Sequence, residues 1–225
     1  MRYHANIMAS ASKTAPPRPQ PRLMLVTPRL DGAADALAHT LTEAMAAADI
    51  AAVILALGDG SERDLINRVK TVAKPVQASG AALLIAGHPV LVAKAGADGA
   101  HIAALDQFAD ALAVLKPDRI VGAGGLPTRH DAMSVAEAGA DYVMFGEPDT
   151  DGHRPAREAM LERVAWWADV FEAPCVGYAG SADDIAPLVA AGADFVALDP
   201  AVWVAAPRPA LTAATADLAI VEPAS

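Results

Sequence analysis

Apolar residues in this chain recur in short blocks, each followed by a longer stretch with apolar and polar positions at helical spacing. The blocks Leu23–Thr27, Ala51–Leu57, Ala81–Ala86, Gly99–Ile102, Arg119–Gly122, Tyr142–Phe145, Cys175–Tyr178 and Phe195–Leu198 predict eight strands. The stretches between and after them predict helices over Asp31–Asp49, Ser61–Ser79, a short segment ending at Lys94, Asp106–Leu115, Thr128–Ala138, Pro155–Phe171, Ser181–Ala191 and Pro207–Ile220. The strand blocks lack strict alternation, as parallel strands covered by helices do. Eight strand–helix pairs predict an α/β fold, a single (β/α)8 TIM barrel near the compact limit of that architecture. A doubly wound open sheet is the alternative. It carries a Gly-rich loop after its first strand, where this chain has Thr27-Pro28-Arg29-Leu30. The expected division is a disordered leader over residues 1–20, the barrel over 21–220 and a tail over 221–225.

One phrase occurs three times: Ala95-Gly96-Ala97-Asp98, Ala138-Gly139-Ala140-Asp141 and Ala191-Gly192-Ala193-Asp194. Each closes a predicted helix and opens a strand, and Gly there supplies the positive φ that ends a helix. The copies precede strands four, six and eight. Barrel chemistry sits on the loops after the strands, at the opposite face, so the three Asp residues are expected to be structural. The candidates for chemistry lie instead at the strand exits: Arg29, Asp59, His88, His101, Asp106, the Gly122–His130 loop, Glu147 to Arg154, Tyr178 to Ser181, and Asp199 to Trp203.

Composition narrows the classes. The apolar fraction is 54%, with few aromatics, which suits helices packed closely on a sheet. Seventeen Lys and Arg against 27 Asp and Glu give a net charge of −10, which excludes a general nucleic-acid surface built on clustered cations. The single cysteine, Cys175, excludes an internal disulfide framework and a multi-Cys zinc site and reads as a core thiol. No stretch reaches the ~20 uninterrupted apolar residues of a membrane span. The first residues lack the apolar core of a signal peptide, so a cytoplasmic protein is expected.

Among the strand-exit residues, His101 and His130 are the candidate catalytic residues. The other readings are a hydrogen-bonded structural histidine at 101 and a solvated loop residue at 130. Asp106 is a candidate Mg²⁺ ligand, since a hard cation needs only one or two carboxylates together with waters and ligand phosphates; the other reading is a cap for the fourth helix. Gly180, Ser181 and Ala201 are candidate phosphate-binding positions, through backbone N–H groups at helix starts after strands seven and eight; capped helix starts are the plain alternative. Gly122, Gly124 and Gly125 form a candidate substrate loop that allows close backbone approach. No lysine lies at a strand exit, which disfavours a Schiff-base aldolase.

From Leu83 to Trp203 the order of phrases resembles the thiamine phosphate synthase / TenI family of barrels. The resemblance rests on Gly96-Ala97-Asp98-Gly99-Ala100-His101-Ile102, on Gly139-Ala140-Asp141-Tyr142-Val143-Met144-Phe145-Gly146, on Ala191-Gly192-Ala193-Asp194-Phe195-Val196-Ala197, and on Pro174-Cys175-Val176-Gly177 before the seventh loop. It implies a small phosphorylated ligand of thiazole phosphate or thiamine phosphate type, Mg²⁺ as the one cofactor, no nucleic-acid or membrane partner, and a homodimer as one allowed assembly. The family's synthase joins an aminopyrimidine diphosphate to a thiazole phosphate with release of pyrophosphate, and its TenI-type members aromatise the thiazole phosphate.

The chain departs from the family pattern at several positions. Gln-Leu-Arg at the second strand falls on Ile54-Leu55-Ala56, and Asn-Asp after the third on Ala86-Gly87. His-Leu-Gly-Gln-Glu-Asp becomes His101-Ile102-Ala103-Ala104-Leu105-Asp106, which keeps the His and the last Asp. Ser-Thr-His after strand five becomes Gly124-Gly125-Leu126, and the lysine after strand six has no counterpart in Glu147–Arg154. Gly-Gly in the seventh loop is Ala179-Gly180, and Val-Ser at the eighth strand is Asp199-Pro200. The expectation is a thiamine-biosynthesis barrel whose pyrophosphate and Mg²⁺ site is degenerate, with ordinary synthase activity reduced. A non-catalytic ligand-binding or regulatory barrel, or an isomerase-type phosphate-sugar barrel using His101 and a carboxylate, stays open on the sequence.

Overall fold

The computed structural model describes residues 19–149 and 151–219. All but the last two residues of the expected leader, and the whole tail, lie outside the described residues. Eight strands, β1 (Arg22–Val26), β2 (Ile50–Leu55), β3 (Ala82–Ala86), β4 (Gly99–Ile102), β5 (Ile120–Ala123), β6 (Tyr142–Phe145), β7 (Cys175–Ala179) and β8 (Phe195–Leu198), close in sequence order into one barrel. Every neighbouring pair is parallel, including the closing pair β1–β8. The helices between them are α1 (Asp35–Ala47), α2 (Glu62–Ala78), α3 (Leu91–Ala95), α4 (Leu105–Leu115), α5 (Arg129–Ala138), α6 (Arg157–Val170) and α7 (Ile185–Ala190). After β8 come α8 (Pro200–Trp203) and α9 (Pro207–Ala219), and α9 packs against α1 and α7.

The alternation of side chains along each strand splits the core in two. Leu23, Leu25, Val53, Leu55, Leu83 and Ile85 face the helices in the larger cluster, while Met24, Ile54, Leu84, Tyr142, Met144 and Tyr178 fill the barrel interior. Cys175 is fully buried in the outer cluster, with Sγ 3.8 Å from the Gly192 carbonyl oxygen. Among the described residues no helix is long and apolar enough to cross a membrane.

The three repeated corners adopt one geometry. Gly96, Gly139 and Gly192 have φ of 74°, 110° and 92°, the left-handed region that glycine enters without steric cost. The Asp two residues on then clasps the preceding strand in both directions. Asp98 N–H donates to Leu83 O at 2.8 Å, and its Oδ2 accepts from Leu83 N–H at 2.8 Å. Asp141 does the same with Val121, at 2.9 and 2.6 Å. Asp194 repeats it with Cys175, at 3.0 and 2.8 Å. Each carboxylate thus supplies an acceptor to a strand N–H near the N-terminal rim of the barrel, where an unpaired donor is costly.

The departures from the predicted elements have local causes. Helix α1 starts at Asp35 rather than Asp31 because Leu30 pairs with Leu57 in an isolated parallel bridge. Strand β5 runs one residue later than predicted: Arg119 N–H closes the end of α4 on Leu115 O, and its side chain donates to Ala97 O. The helix after β7 is a 3-10 turn over Ala182–Asp184 followed by α7. Pro187 lacks the N–H that would continue an α-helical ladder to Asp183 O, and that carbonyl accepts from Arg157 instead. Helix α8, absent from the prediction, has Pro200 at its first turn and Asp199 accepting from Ala201 N–H.

Candidate active site

His101 points into the barrel from β4 and is 4% exposed. In register it lies beside Gly122 on β5, which in turn lies beside Tyr142 on β6. Gly122 has no side chain, so the Tyr142 ring lies across its position: a Cβ there would stand 1.9 Å from Tyr142 Cζ. The ring thereby reaches past β5, stacks near-parallel to the imidazole at 5.8 Å between centroids, and brings Oη to 2.9 Å from His101 Nδ1. Two residues further on, Gly124 leaves room for a second contact. A Cβ there would stand 2.1 Å from Glu147 Oε1 and 2.6 Å from His101 Nε2. Glu147, which follows β6 after the positive-φ turn at Gly146 (φ 95°), lies 2.9 Å from His101 Nε2 through Oε2. The result is one buried line, Tyr142–His101–Glu147, passing over two glycines.

Glu147 lines a cleft of about 370 Å³ between the segments after β5 and β6, together with Gly125, Leu126, His153, Arg154 and Arg163. Its Oε1 is shut off from solvent and has no hydrogen-bond donor among the described residues. Tyr142 is fully buried, and burial, reinforced by the Glu147 and Asp141 carboxylates, pushes its phenol well above the ordinary tyrosine range. Burial and a 2.5 Å hydrogen bond to Asp199 Oδ2 raise the Tyr178 phenol as well.

The remaining predicted site residues divide by position. His130 is exposed in the first turn of α5, apart from the cleft lining. Gly122 and Gly124 are approached by the chain's own Tyr142, His101 and Glu147, and Gly125 alone of the three borders the cleft. Gly180 N–H and Ser181 N–H both donate to Asp184 Oδ2, at 3.0 and 3.1 Å, and Ala201 N–H donates to Asp199 Oδ1 at 2.7 Å. Carboxylates of the chain therefore take the donors expected to meet a phosphate. Asp184 is in turn flanked by Arg154 at 3.7 Å and Arg157 at 3.5 Å. Sequence reasoning placed Glu147 among the loop candidates without a role and missed Tyr142, whose position in a strand block disguised it as core.

The cations near the mouth are committed to local partners. Arg154 donates to Gly146 O and Tyr178 O, and its guanidinium lies 5.2 Å over the Tyr178 ring. Arg29 bridges Asp31 and Asp59, and Arg129 lies over Trp166. Asp106 is exposed in the first turn of α4, while Ala86 and Gly87 offer no second carboxylate at the β3 exit. With a single protein carboxylate, Mg²⁺ fits there only in company with ligand phosphates and water. Asp149, Asp151 and His153 also converge, but their loop is exposed and closed by its own bonds, Asp149 Oδ1 accepting from Asp151 N–H and His153 N–H.

Comparison with known proteins gives this geometry a setting. Residues 23–202 match the family model described as thiamine monophosphate synthase. The thiamine-phosphate synthase of Rhodospirillum centenum is 38% identical over 185 residues, covering 81% of this chain and 89% of that protein. The thiamine-phosphate synthase of Hyphomonas neptunium is 38% identical over 200 residues, covering 84% and 89%. Among solved structures, the thiamine phosphate pyrophosphorylase from Pyrococcus furiosus superposes with a TM-score of 0.72 at 18% identity, covering 89% of this chain and 96% of that one, a likeness of fold. With the barrel, the order of its corners and the sequence match all in agreement, the chain belongs to the thiamine monophosphate synthase family.

Proposed function

We propose that this chain binds a small phosphorylated thiamine precursor, of thiazole phosphate or thiamine phosphate type, in the cleft after β5 and β6, and moves a proton on it with Glu147 backed by His101. The reaction favoured is tautomerisation of a thiazole phosphate rather than the condensation that releases pyrophosphate. One observation carries this reading: a carboxylate and an imidazole meet at 2.9 Å beside the cleft, while Ala56 and Gly87 bring neither a cation nor a carboxylate to the β2 and β3 exits. A leaving diphosphate needs its growing charge neutralised, and losing one preorganised contact of that kind costs about 2.7–4 kcal/mol. A tautomerisation sheds no charged group. Glu147 takes a proton from one ligand atom, the electron pair moves within the ligand, and the proton returns to another atom. Asp106 is the residue that would hold Mg²⁺ beside a ligand phosphate, where the ion would neutralise phosphate charge.

The 38% identity to proteins named thiamine-phosphate synthase favours condensation as a second reading. Incubation of the purified protein with aminopyrimidine diphosphate, thiazole phosphate and Mg²⁺, beside a thiazole tautomerase assay, separates the two. Tautomerase turnover without comparable formation of thiamine phosphate is the expected result. Thiamine phosphate formed at a normal synthase rate overturns the preference. If there is no turnover in either assay and no calorimetric heat with thiazole phosphate or thiamine phosphate, both readings fail and a scaffold without this ligand remains.

A further inference from the structure

We propose that Tyr142 is a positioning residue of the cleft: its hydroxyl donates to His101 Nδ1 and holds the imidazole in the orientation that points its Nε2–H at the Glu147 carboxylate. The inference deepens the proton-transfer reading above and rests on it only for its effect on turnover.

For a neutral imidazole beside an ionised Glu147, the line has one direction. A neutral histidine carries one N–H donor and one acceptor nitrogen. Nδ1 faces Tyr142 Oη at 2.9 Å, and Nε2 faces Glu147 Oε2 at 2.9 Å. A carboxylate accepts only, so the nitrogen facing it must donate, and Nδ1 is left to accept. Tyr142 has the proton to give, since burial keeps its phenol neutral far above the ordinary range. The hydroxyl has no other hydrogen-bond partner among the described residues. Reversing the line would leave a buried phenol hydrogen unpaired and set an imidazole lone pair against a carboxylate, two costs in a water-poor interior.

Tyr142 does not touch the cleft. Its ring lines an apolar cavity of about 280 Å³ at the opposite, N-terminal end of the barrel, beside Met24, Leu84 and Phe195. Whatever it does for a ligand in the cleft therefore passes through His101. The second partner of a histidine determines which nitrogen carries the proton. On Glu147, Oε2 is held by His101, and Oε1 has no donor among the described residues. The carboxylate is thus oriented by one N–H and retains an unspent acceptor.

Nitrogen-15 NMR of the histidine-labelled full chain tests this without any ligand, with His101 identified by a His101→Gln control. Wild type is expected to show His101 as the Nε2–H tautomer near neutral pH, with its proton displaced downfield by the carboxylate. Tyr142→Phe keeps the ring that fills the space beside Gly122, and is expected to leave the Nε2–H tautomer while the Nδ1 resonance moves to that of a nitrogen without a hydrogen bond. In the tautomerase assay the same variant should lose about three- to tenfold in kcat with KM unchanged, the worth of one ordinary hydrogen bond. Glu147→Gln serves as the second variant should Tyr142→Phe fold poorly: the Nδ1 resonance should keep its hydrogen-bonded position while the Nε2–H proton moves upfield. An Nδ1–H tautomer in wild type overturns the proposal, and so does a His101 spectrum unmoved by Tyr142→Phe. If the hydrogen bond at Nδ1 is present and Tyr142→Phe removes it, but no thiazole compound turns over or binds, the positioning line stands and the assigned reaction fails.

Discussion

The two ends of this barrel are built on different logic. At the N-terminal end, one four-residue phrase recurs three times and produces the same clasp three times: a glycine in the left-handed region, then an Asp that gives its N–H to the preceding strand and takes that strand's N–H on its carboxylate. At the C-terminal end the loops differ from one another, and a buried polar line joins residues 41 and 46 positions apart. The contrast teaches where a barrel keeps its stability and where it keeps its chemistry. Repetition at one rim secures closure. The other rim is then free to vary from loop to loop.

Substitutions of matched size can break that division. The largest effect is expected from Gly124→Ala, whose Cβ would displace Glu147 and His101 at the cleft. Misplacing a reacting group by about 1 Å can cost on the order of a hundredfold in rate, so kcat in the tautomerase assay should fall by about that factor. Both displaced atoms are side-chain ends, so the melting temperature should change far less than the rate. A variant that unfolds while its residual folded fraction keeps full activity would show that the glycine serves closure instead.

At the opposite rim the signs reverse. Asp194→Ala leaves Cys175 N–H without its side-chain acceptor and should cost about 1–3 kcal/mol in denaturant unfolding. Asp194→Asn retains an oxygen at that place and should cost less. Ligand affinity measured by calorimetry should be the same in both variants as in wild type. A change in affinity at this distance would join the two ends that the comparison separates.

The smallest effect belongs to the exposed ion pair of Arg22 and Asp49 at 2.7 Å. Hydrogen bonding to Arg22 holds the Asp49 carboxyl below its ordinary value. Its contribution is therefore present above the unfolded-state pKa of about 3.9 and lost as pH falls through the lower folded value. With the Asp49 side chain 76% exposed, solvent screening limits the contribution to less than about 1 kcal/mol. Arg22→Gln should cost that little at pH 7, and the difference from wild type should vanish in strongly acidic denaturation curves.

Most of the fold was legible along the chain. Eight apolar blocks became eight strands, Ser61 caps α2 through Asp64 N–H, and the three corner glycines stop helices as their spacing predicts. These features depend on backbone conformations set within a few residues, so periodicity and turn chemistry report them. The errors fell where a distant partner intervened: Leu57 drawing Leu30 into a bridge, or Arg157 taking the Asp183 carbonyl. The site was less legible. His101 and Glu147 were both among the strand-exit residues, but nothing in their spacing joined them. Gly122 and Gly124, candidates for the close approach of a ligand, are approached by three side chains of the chain itself, Tyr142, His101 and Glu147.

The linear pattern of residues was sufficient for the barrel, the glycine corners before strands four, six and eight, and the family to which the chain belongs, because each depends on short-range periodicity and local turns. Folding alone decided that Tyr142 reaches His101, that Glu147 closes over it, and that Asp184 and Asp199 occupy the donors at β7 and β8. Such contacts depend on barrel closure and on the glycines that clear a path between neighbouring strands. No periodicity in the sequence encodes them.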